Sequence, residues 1–198
     1  AVSARLGIAD IIRWSGGRLL AGDVQRECRG VSIDSRRVEP GSLFIAIRGP
    51  HHDAHRFLQD AAAAGAAGLL VEAAAAIPDA VRARCVVVTV ADTTQALGAL
   101  AAGYRSTFSG PLVAITGSNG KTTTKEMCAA ILAVRAPCLK TEGNLNNQYG
   151  LPLTLLRRDE SQRSAVVEIG MNHAGETAPL AAIARPTVGV ITNIGTAH

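Results

Sequence analysis

The chain has 198 residues, of which 47% are hydrophobic and 18% charged, as is typical of a globular protein with one large or two small domains. Aromatic residues make up only 3% of the chain and no block of lysines and arginines occurs, so the composition argues against a nucleic-acid-binding protein. The net charge of +4 suits a protein that binds small anions, although a mildly basic surface explains it equally well. Neither a secretory leader nor an apolar run of about 18 residues occurs, and we therefore expect a cytoplasmic protein that is not inserted into a membrane.

The four cysteines do not form a metal-binding pattern. Cys28, Cys85, Cys128 and Cys138 contain no Cys-x-x-Cys pair and have no histidine at zinc-finger spacing. Cys85 falls in an apolar strand and Cys128 in a helix, so both are predicted to be buried thiols in a reducing compartment.

The first half of the chain predicts a small mixed α/β domain over residues 1–109. Short strands are expected at 29–33, 43–47, 68–71 and 85–90, and helices at 7–14, 54–64 and 93–104. The alanine tracts at 61–64 and 73–76 indicate helix and helix edge, and Asp92 is a candidate N-cap for the helix that follows it. The polar, Gly- and Pro-containing segment 106–111 is the expected domain boundary.

From residue 110 to 198 the pattern alternates regularly between strands and helices. Strands are expected at 112–116, 164–169 and 187–192, a strand or loop near 138–141, and helices at 121–134, 149–156 and 175–184. Nearly continuous apolar strands indicate a parallel sheet that is covered on both faces, and ligands of such sheets bind at the carboxyl ends of the strands. Because the sequence ends at His198 directly after a strand, we expect a truncated domain.

A glycine-rich turn between the strand 112–116 and the helix 121–134 is the most informative segment of the chain. Glycines allow backbone N–H groups to surround an anion, the start of the helix adds its dipole, and a Gly-Lys-Thr ending adds an ammonium group and a hydroxyl. The upstream glycine is closer to the lysine than in the common phosphate-binding loop, so this is a shorter variant. The predicted phosphate-binding residues are Gly117, Ser118, Asn119, Gly120, Lys121, Thr122 and Thr123.

Two further polar positions lie at or just after the ends of predicted strands and are candidates for catalysis and metal binding. Glu168 closes the apolar strand 164–169, where a carboxylate can bind magnesium together with the Thr122 hydroxyl, although a helix cap or a surface ion pair is the alternative. His198 follows the strand 187–192 and could bind a second cation or contact the transferred phosphate, with a lone histidine of no functional role as the alternative. We therefore predict Lys121, Glu168 and His198 as catalytic residues.

Two polar segments are candidates for substrate binding. The amide-rich segment 141–152 contains Asn144, Asn146 and Asn147 and can bind a polar substrate, unless it is simply a turn before a helix. Ser35 and Arg36 follow the first predicted strand and combine a hydroxyl with a guanidinium suited to a diphosphate, with a solvated loop as the alternative.

The histidines at 51, 52 and 55 lack a second ligand cluster, so a loop with a helix start at Asp53 is preferred to a metal site.

These residues resemble a known family, the Mur ligases, which are ATP-dependent amide ligases of peptidoglycan precursor synthesis. The phosphate loop from Ile115 to Thr123 carries the family resemblance. The segments 142–152, 168–176 and 193–198 resemble the member of the family that adds D-alanyl-D-alanine. In the first domain the segments 34–36, 40–44 and 53–55 resemble the uridine-diphosphate-binding domain of the family.

The resemblance implies an amide ligase that uses ATP and Mg²⁺ and joins D-alanyl-D-alanine to UDP-N-acetylmuramoyl-tripeptide through an acyl phosphate. It implies phosphate binding by the loop, magnesium binding by Thr122, Glu168 and His198, and a substrate-binding role for Asn172 in addition to the asparagines named above. It implies a UDP-substrate domain over 1–109 and the first part of an ATP-binding domain over 110–198. We expect a monomer, and a chain of this length that binds substrate without turnover.

Two alternatives remain open from the sequence. The sister ligase of the family, which adds a diamino acid or lysine to the preceding precursor, would carry a Ser-Ser-His arrangement where this chain has Gly170-Met171-Asn172. A P-loop nucleotide-binding protein that is not a ligase would turn over nucleotide without an amine substrate.

Overall fold

The structure is a computed structural model that describes residues 4–50, 52–171 and 175–195. It divides into two compact units, Ala1–Leu100 (unit 1) and Ala101–His198 (unit 2). Within the described ranges, no helix has both the length and the apolar character needed to cross a membrane.

Unit 1 is a mixed α/β unit. Its strands are β1 (Arg5–Gly7), β2 (Arg18–Ala21), β3 (Glu27–Arg29), β4 (Val31–Ser32), β5 (Leu43–Ile45), β6 (Gly68–Glu72) and β7 (Val86–Val90). Its helices are α1 (Ile8–Ser15), α2 (Leu58–Ala63) and α3 (Asp79–Arg82), and short 3₁₀ turns span Ser35–Arg37 and Ala54–Phe57. Helix α4 (Thr93–Ser106) begins in unit 1 and ends in unit 2.

The main sheet of unit 1 has the order β2-β7-β6-β5-β4, in which only β2 is antiparallel to its neighbour. β1 and β3 form a separate antiparallel pair. Phe44, Leu69 and Val87 on adjacent strands pack with Leu58 of α2 and Val81 of α3 in a fully buried cluster. This cluster explains why short strands with nearly continuous apolar sequence are stable here.

Unit 2 contains a fully parallel sheet. Its strands are β8 (Leu112–Thr116), β9 (Cys138–Lys140), β10 (Ser164–Glu168) and β11 (Val188–Ile191), in the order β11-β8-β10-β9. Its helices are α5 (Lys121–Ala133), α6 (Gly150–Leu156) and α7 (Thr177–Ala184). Ala165, Val166 and Val167, which point alternately to the two faces of the sheet, are all buried, so both faces of β10 are covered.

The predicted α/β class is confirmed, with a mixed first unit and a parallel-stranded second unit. Asp92 caps α4 as predicted, because its Oδ1 accepts from the N–H groups of Thr94 at 2.8 Å and Gln95 at 2.9 Å. Asp53 likewise starts the turn Ala54–Phe57 by accepting from the N–H of His55 at 3.0 Å.

Some expectations for unit 1 are wrong. The tract 73–76 is a turn and an irregular segment instead of a helix edge, because the Ala73 N–H donates to Val90 O and thereby extends the β6–β7 pairing. The strand expected at 29–33 is divided at Gly30 into β3 and β4, and the sequence did not predict β1, β2 or α3. β2 is hard to recognise because its apolar residues Leu19 and Leu20 are exposed.

A buried arginine links the end of α4 to the end of α7 within unit 2. Arg105 is 8% exposed, and its guanidinium donates to the carbonyl oxygens of Phe108, Ala184 and Arg185. Ala184 and Arg185 lie at the C-terminus of α7, where the carbonyl groups have no N–H donor within the helix. Arg105 therefore satisfies the helix end and offsets the cost of burying its own charge.

We predict that Arg105→Lys lowers the free energy of unfolding of the chain by about 2 kcal/mol. The planar guanidinium donates to three separate carbonyls, and the single ammonium of a lysine cannot reach all three. Urea unfolding followed by circular dichroism measures this change. Arg135→Lys, at an exposed arginine that follows α5, is the control and should change stability by less than about 0.5 kcal/mol. Equal stability of the two variants would contradict the assigned role of Arg105.

Candidate functional site

The segments that follow the four strands of unit 2 lie at one edge of its sheet, because the strands are parallel. Thr116 Oγ1 donates to Ile169 O at 2.9 Å, which joins the end of β8 to the end of β10. The Gly170 N–H donates to Asn146 O at 2.8 Å, which brings the segment after β9 to the same place. The predicted polar segments are thus brought together by the topology of the sheet.

The phosphate loop connects β8 to α5 as predicted. Gly117 has a φ of 138° and Gly120 a φ of 82°, and both values strongly favour glycine. α5 begins at Lys121, and its first intrahelical bond is from the Thr124 N–H to Gly120 O. By helix geometry the N–H groups of the three residues from Lys121 onward have no acceptor within the helix and can bind an anion.

The loop already has internal and external partners. The Lys121 ammonium donates to Gly117 O, so the lysine folds back over its own loop. The N–H groups of Ser118 and Asn119 donate to Asn193, which follows β11. The predicted phosphate-binding residues therefore fall into two groups. The N–H groups of Ser118 and Asn119 are hydrogen-bonded within the protein, whereas the first N–H groups of α5 remain available to a phosphate.

Glu168, at the end of β10, is 2% exposed and belongs to a buried charged network. Its Oε1 lies 3.2 Å from the Nζ of Lys125, which is 1% exposed on α5. Thr141 connects the two, because its carbonyl oxygen accepts from Lys125 Nζ at 2.8 Å and its hydroxyl oxygen accepts from the Glu168 N–H at 2.9 Å. The alternative of a surface ion pair for Glu168 is thus excluded, since its partner is as buried as the glutamate.

The donor set fits a magnesium ion only in part. Glu168 Oε1 is buried and makes no hydrogen bond, although it lies near Lys125, so it retains a lone pair for a cation or a bound water. Thr122 is exposed in the first turn of α5, the helix that follows β8, and β8 is the direct neighbour of β10 in the sheet. Among the described residues, no group of three or more His, Cys, Asp or Glu could hold a metal, and His198 lies outside them. Thr122 and Glu168 are therefore the candidate ligands that the structure describes.

The amide-rich segment after β9 is used partly for structure. Asn147 Oδ1 accepts from the N–H groups of Tyr149 at 3.1 Å and Gly150 at 2.8 Å, so it caps the start of α6. Asn146 contributes its carbonyl to Gly170, and Asn144 is exposed. Asn172, the fourth predicted amide, lies outside the described residues.

In unit 1 the predicted diphosphate residues Ser35 and Arg36 lie in the 3₁₀ turn after β4. The Arg36 guanidinium donates to Asp34 Oδ1 at 2.9 Å and to Asp34 Oδ2 at 2.8 Å. These bonds lower the pKa of Asp34 to about 2. Arg36 is thus held by a carboxylate of its own turn, and an incoming diphosphate would compete with Asp34 for it.

His55 has a structural role in the histidine segment. His55 Nδ1 lies 2.6 Å from Asp53 Oδ1, and its Nε2 accepts from the Glu72 N–H at 2.9 Å. Since Nε2 is an acceptor, the proton lies on Nδ1, and both ring nitrogens are used within unit 1. The 3₁₀ turn Ala54–Phe57, which Asp53 begins, agrees with the predicted helix start, and His51 lies outside the described residues.

Sequence reasoning assigned no individual role to three residues of the site, Lys125, Thr141 and Asn193, although Thr141 and Asn193 lie in the segments 141–152 and 193–198 that it singled out. Lys125 lies four residues after Lys121, but a lysine followed by a glutamate in a helix is typical of a solvated face. The available signal was position, because Thr141 ends the segment 138–141 and Asn193 directly follows the predicted strand 187–192, just as Glu168 lies near the end of the predicted strand 164–169.

Comparison with known proteins identifies related families for both units. Residues 115–198 match the family model described as Mur ligase middle domain, and residues 27–105 match the model described as Mur ligase family, catalytic domain. The chain is 41% identical over 184 residues to the UDP-N-acetylmuramoyl-tripeptide–D-alanyl-D-alanine ligase of Escherichia coli. This match covers 92% of the chain and 38% of that protein. It is 41% identical over 174 residues to the Bacillus subtilis ligase of the same name, which covers 88% of the chain and 37% of that protein.

Solved structures give the same result. A crystal structure of MurF from Acinetobacter baumannii matches with a TM-score of 0.90 and 38% identity, covering 100% of this chain and 43% of that one. The MurF ligase from Thermotoga maritima, crystallised with ADP, matches with a TM-score of 0.74 and 35% identity, covering 85% of this chain and 38% of that one. The chain thus spans about two fifths of the length of these relatives.

We predict that Lys125→Met lowers the free energy of unfolding by about 3 kcal/mol, because it leaves the buried Glu168 carboxylate without its counter-charge. The double variant Lys125→Met/Glu168→Gln should recover most of this loss, since it leaves no buried charge. Lys140→Met is the matched control, because Lys140 also pairs with a glutamate, Glu126, but on the surface. Chemical denaturation of the four proteins measures the effect, and a loss for Lys125→Met no larger than that for Lys140→Met would contradict the network.

We predict that Arg36→Gln raises the pKa of Asp34 from about 2 toward its ordinary value of 3.8, because the hydrogen bonds that stabilise the carboxylate are lost. Arg37→Gln is the control and should leave the pKa near 2. Since folding depresses this pKa, the pair contributes stability above about pH 4, and that contribution is lost as the pH falls toward 2. A carbon-detected NMR titration of the Asp34 carboxyl measures both pKa values.

Proposed function

The chain belongs to the Mur ligase family, and we propose that it supplies two domains of an ATP-dependent ligase that joins D-alanyl-D-alanine to UDP-N-acetylmuramoyl-tripeptide. In this proposal residues 1–109 bind the UDP-linked substrate and residues 110–198 form the first part of the ATP-binding domain. The proposal is supported by the relatives that carry this activity in their names, at 41% identity and about 90% coverage of the chain.

The observation that carries the proposal is the arrangement of the phosphate loop and Glu168. The loop leads from β8 into α5, and Glu168 ends β10, whose register pairs it with Ile115 at the end of β8. A cationic loop and a buried carboxylate therefore end two adjacent strands. This is the arrangement that a phosphoryl-transfer site requires for binding a nucleotide and its metal ion.

The chemistry of the reaction explains why such charges are needed. The tripeptide carboxylate attacks the γ-phosphorus of ATP, which forms an acyl phosphate and releases ADP. The amine of D-alanyl-D-alanine then attacks the acyl carbon, and inorganic phosphate and a proton leave as the amide forms. A carboxylate that approaches a polyphosphate is repelled, so catalysis requires neutralisation of charge and alignment of the reacting groups. In this proposal the Lys121 ammonium leaves Gly117 O and binds a phosphate oxygen, which is the stronger acceptor.

Thr122 and Glu168 would hold Mg²⁺, whose chemistry here is to neutralise phosphate charge and orient the phosphoryl group. His198 completes the proposed catalytic set through its place in the sequence after β11. The N–H groups at the start of α5 bind phosphate oxygens next to Lys121.

The remaining predicted residues are assigned to substrate binding in this proposal. Ser35 and Arg36 bind the diphosphate of the UDP group. Asn144, Asn146 and Asn172 bind the muramoyl-peptide part, whereas the Asn147 side chain can offer only its amide N–H group, because its oxygen caps α6.

The test is release of inorganic phosphate from ATP by the complete protein that contains this chain. We expect release only when both UDP-N-acetylmuramoyl-tripeptide and D-alanyl-D-alanine are present. Release supported by a free diamino acid or lysine with the shorter precursor would assign the sister ligase. Release with ATP alone would indicate a P-loop protein of a different class.

We predict that Lys121→Ala lowers the rate of this reaction by at least about 10²-fold, because it removes a preorganised positive charge from the transferred phosphate. Binding of the UDP-substrate, measured by calorimetry, should be unchanged, since its UDP group is assigned to unit 1 and its muramoyl-peptide part to asparagines outside the phosphate loop. Lys140→Met, which removes an exposed lysine that pairs with Glu126, is the control for general loss of positive charge. Near-normal turnover by Lys121→Ala would show that the loop does not serve phosphoryl transfer.

A further inference from the structure

The segment Thr192–Gly195, which we call the brace, lies against the phosphate loop. Thr192 Oγ1 donates to Asn119 O, and Asn193 O accepts from the Ser118 N–H at 3.2 Å. Asn193 Oδ1 accepts from the Asn119 N–H at 2.9 Å. Ser118 Oγ accepts from the Gly195 N–H at 3.0 Å and donates to Gly195 O at 3.1 Å. The two residues at the tip of the loop are therefore bonded through main chain and side chain to one segment.

Asn193 makes the central contribution, because it accepts from two consecutive N–H groups of the loop with two different oxygens. Only the second contact depends on its side chain. Of the side-chain amide, the oxygen is the atom used, so an aspartate could replace it as acceptor whereas an alanine could not.

The loop sequence is built to accept this contact. A Cβ atom at Gly117 would overlap with Thr192 Oγ1 and would come within 3.1 Å of the backbone N and O of Asn193. Gly117 therefore serves two requirements, a φ of 138° and the close approach of the brace. A loop that kept its N–H groups free for a ligand would have no need of such proximity to a neighbouring segment.

We propose that Asn193 is a positioning residue of the phosphate loop, which holds the Ser118–Asn119 turn in its binding conformation before a nucleotide arrives. The inference rests on the proposed function, in that the loop must bind nucleotide phosphate. Because the loop is ordered in advance, binding does not have to supply the free energy of ordering it. The N–H groups at the start of α5 and the Lys121 ammonium are left to bind the phosphate.

A competing interpretation is that the brace blocks the loop by occupying N–H groups that phosphate would otherwise use. The two interpretations predict opposite effects when the Asn193 side chain is shortened. Loss of a positioning contact weakens nucleotide binding, whereas loss of a blocking contact strengthens it.

The test compares Asn193→Ala and Asn193→Asp with the unaltered complete protein. ADP affinity is measured by calorimetry, and amide exchange of loop peptides is measured without nucleotide by mass spectrometry. We expect Asn193→Ala to weaken ADP binding about tenfold, which corresponds to about one lost hydrogen bond, and to speed exchange in the loop. Asn193→Asp keeps the acceptor and should retain slow exchange.

Gln162→Ala is the matched control, because Gln162 Oε1 accepts from the Asp159 N–H at 3.1 Å in the same manner, away from the loop. It should change neither ADP affinity nor loop exchange. Should Asn193→Ala fail to fold, Thr192→Val, which removes one hydroxyl donor but keeps the side-chain shape, is measured in its place and is expected to weaken ADP binding as well.

The outcomes separate this inference from the proposed function. Unchanged or tighter ADP binding by Asn193→Ala, or unchanged loop exchange, would overturn the positioning role while nucleotide binding by the unaltered protein stands. Absence of ADP binding by the unaltered protein would overturn the proposed function itself, whatever the exchange rates show.

Discussion

The buried pair of Lys125 and Glu168 is the interaction on which the carboxyl edge of the unit 2 sheet depends. Both side chains are 2% exposed, and a charge in such surroundings is tolerated only with a counter-charge and hydrogen-bond partners. Thr141 supplies the hydrogen-bond partner of the Lys125 ammonium through its carbonyl and holds the Glu168 main-chain N–H through its hydroxyl oxygen, whereas the carboxylate Oε1 of Glu168 has Lys125 as its counter-charge. Because Lys125 lies one helical turn after Lys121, the pair fixes the start of α5, and with it the phosphate loop, against the ends of β9 and β10.

The charges around this pair alternate from the interior to the surface. Lys125 also lies 3.1 Å from Glu126, which in turn binds the exposed Lys140. Hydrogen bonds from Lys140 and Lys125 lower the pKa of Glu126. Lys121 is different, since the contact that the structure gives it is to the neutral carbonyl of Gly117. The network therefore compensates its own charges and leaves the Lys121 ammonium for an anionic ligand.

The sequence predicted unit 2 better than unit 1, and it predicted the site only in part. Apolar parallel strands and helix starts are local signals, so β8 was predicted with its observed bounds, and Glu168 was found because it ends a strand. The tract 73–76 was misassigned because helix propensity of alanine was outweighed by pairing with β7, which is a tertiary contact. Lys125 was missed for the same reason, since helix periodicity alone does not show which lysine is buried beside a carboxylate.

The buried network and the brace act on the same loop and together decide which of its backbone N–H groups remain free for a ligand. The ion pair of Lys125 with Glu168 fixes α5, which follows the loop, and Asn193 accepts a hydrogen bond from the loop itself. Its tip amides at Ser118 and Asn119 are consequently satisfied by the protein, so they add rigidity where a free amide would add a ligand contact. Affinity for phosphate must then come from the start of α5 and from the ammonium of Lys121. The glycines at 117 and 120 serve this division of roles, because one admits the brace and the other turns the chain into the helix.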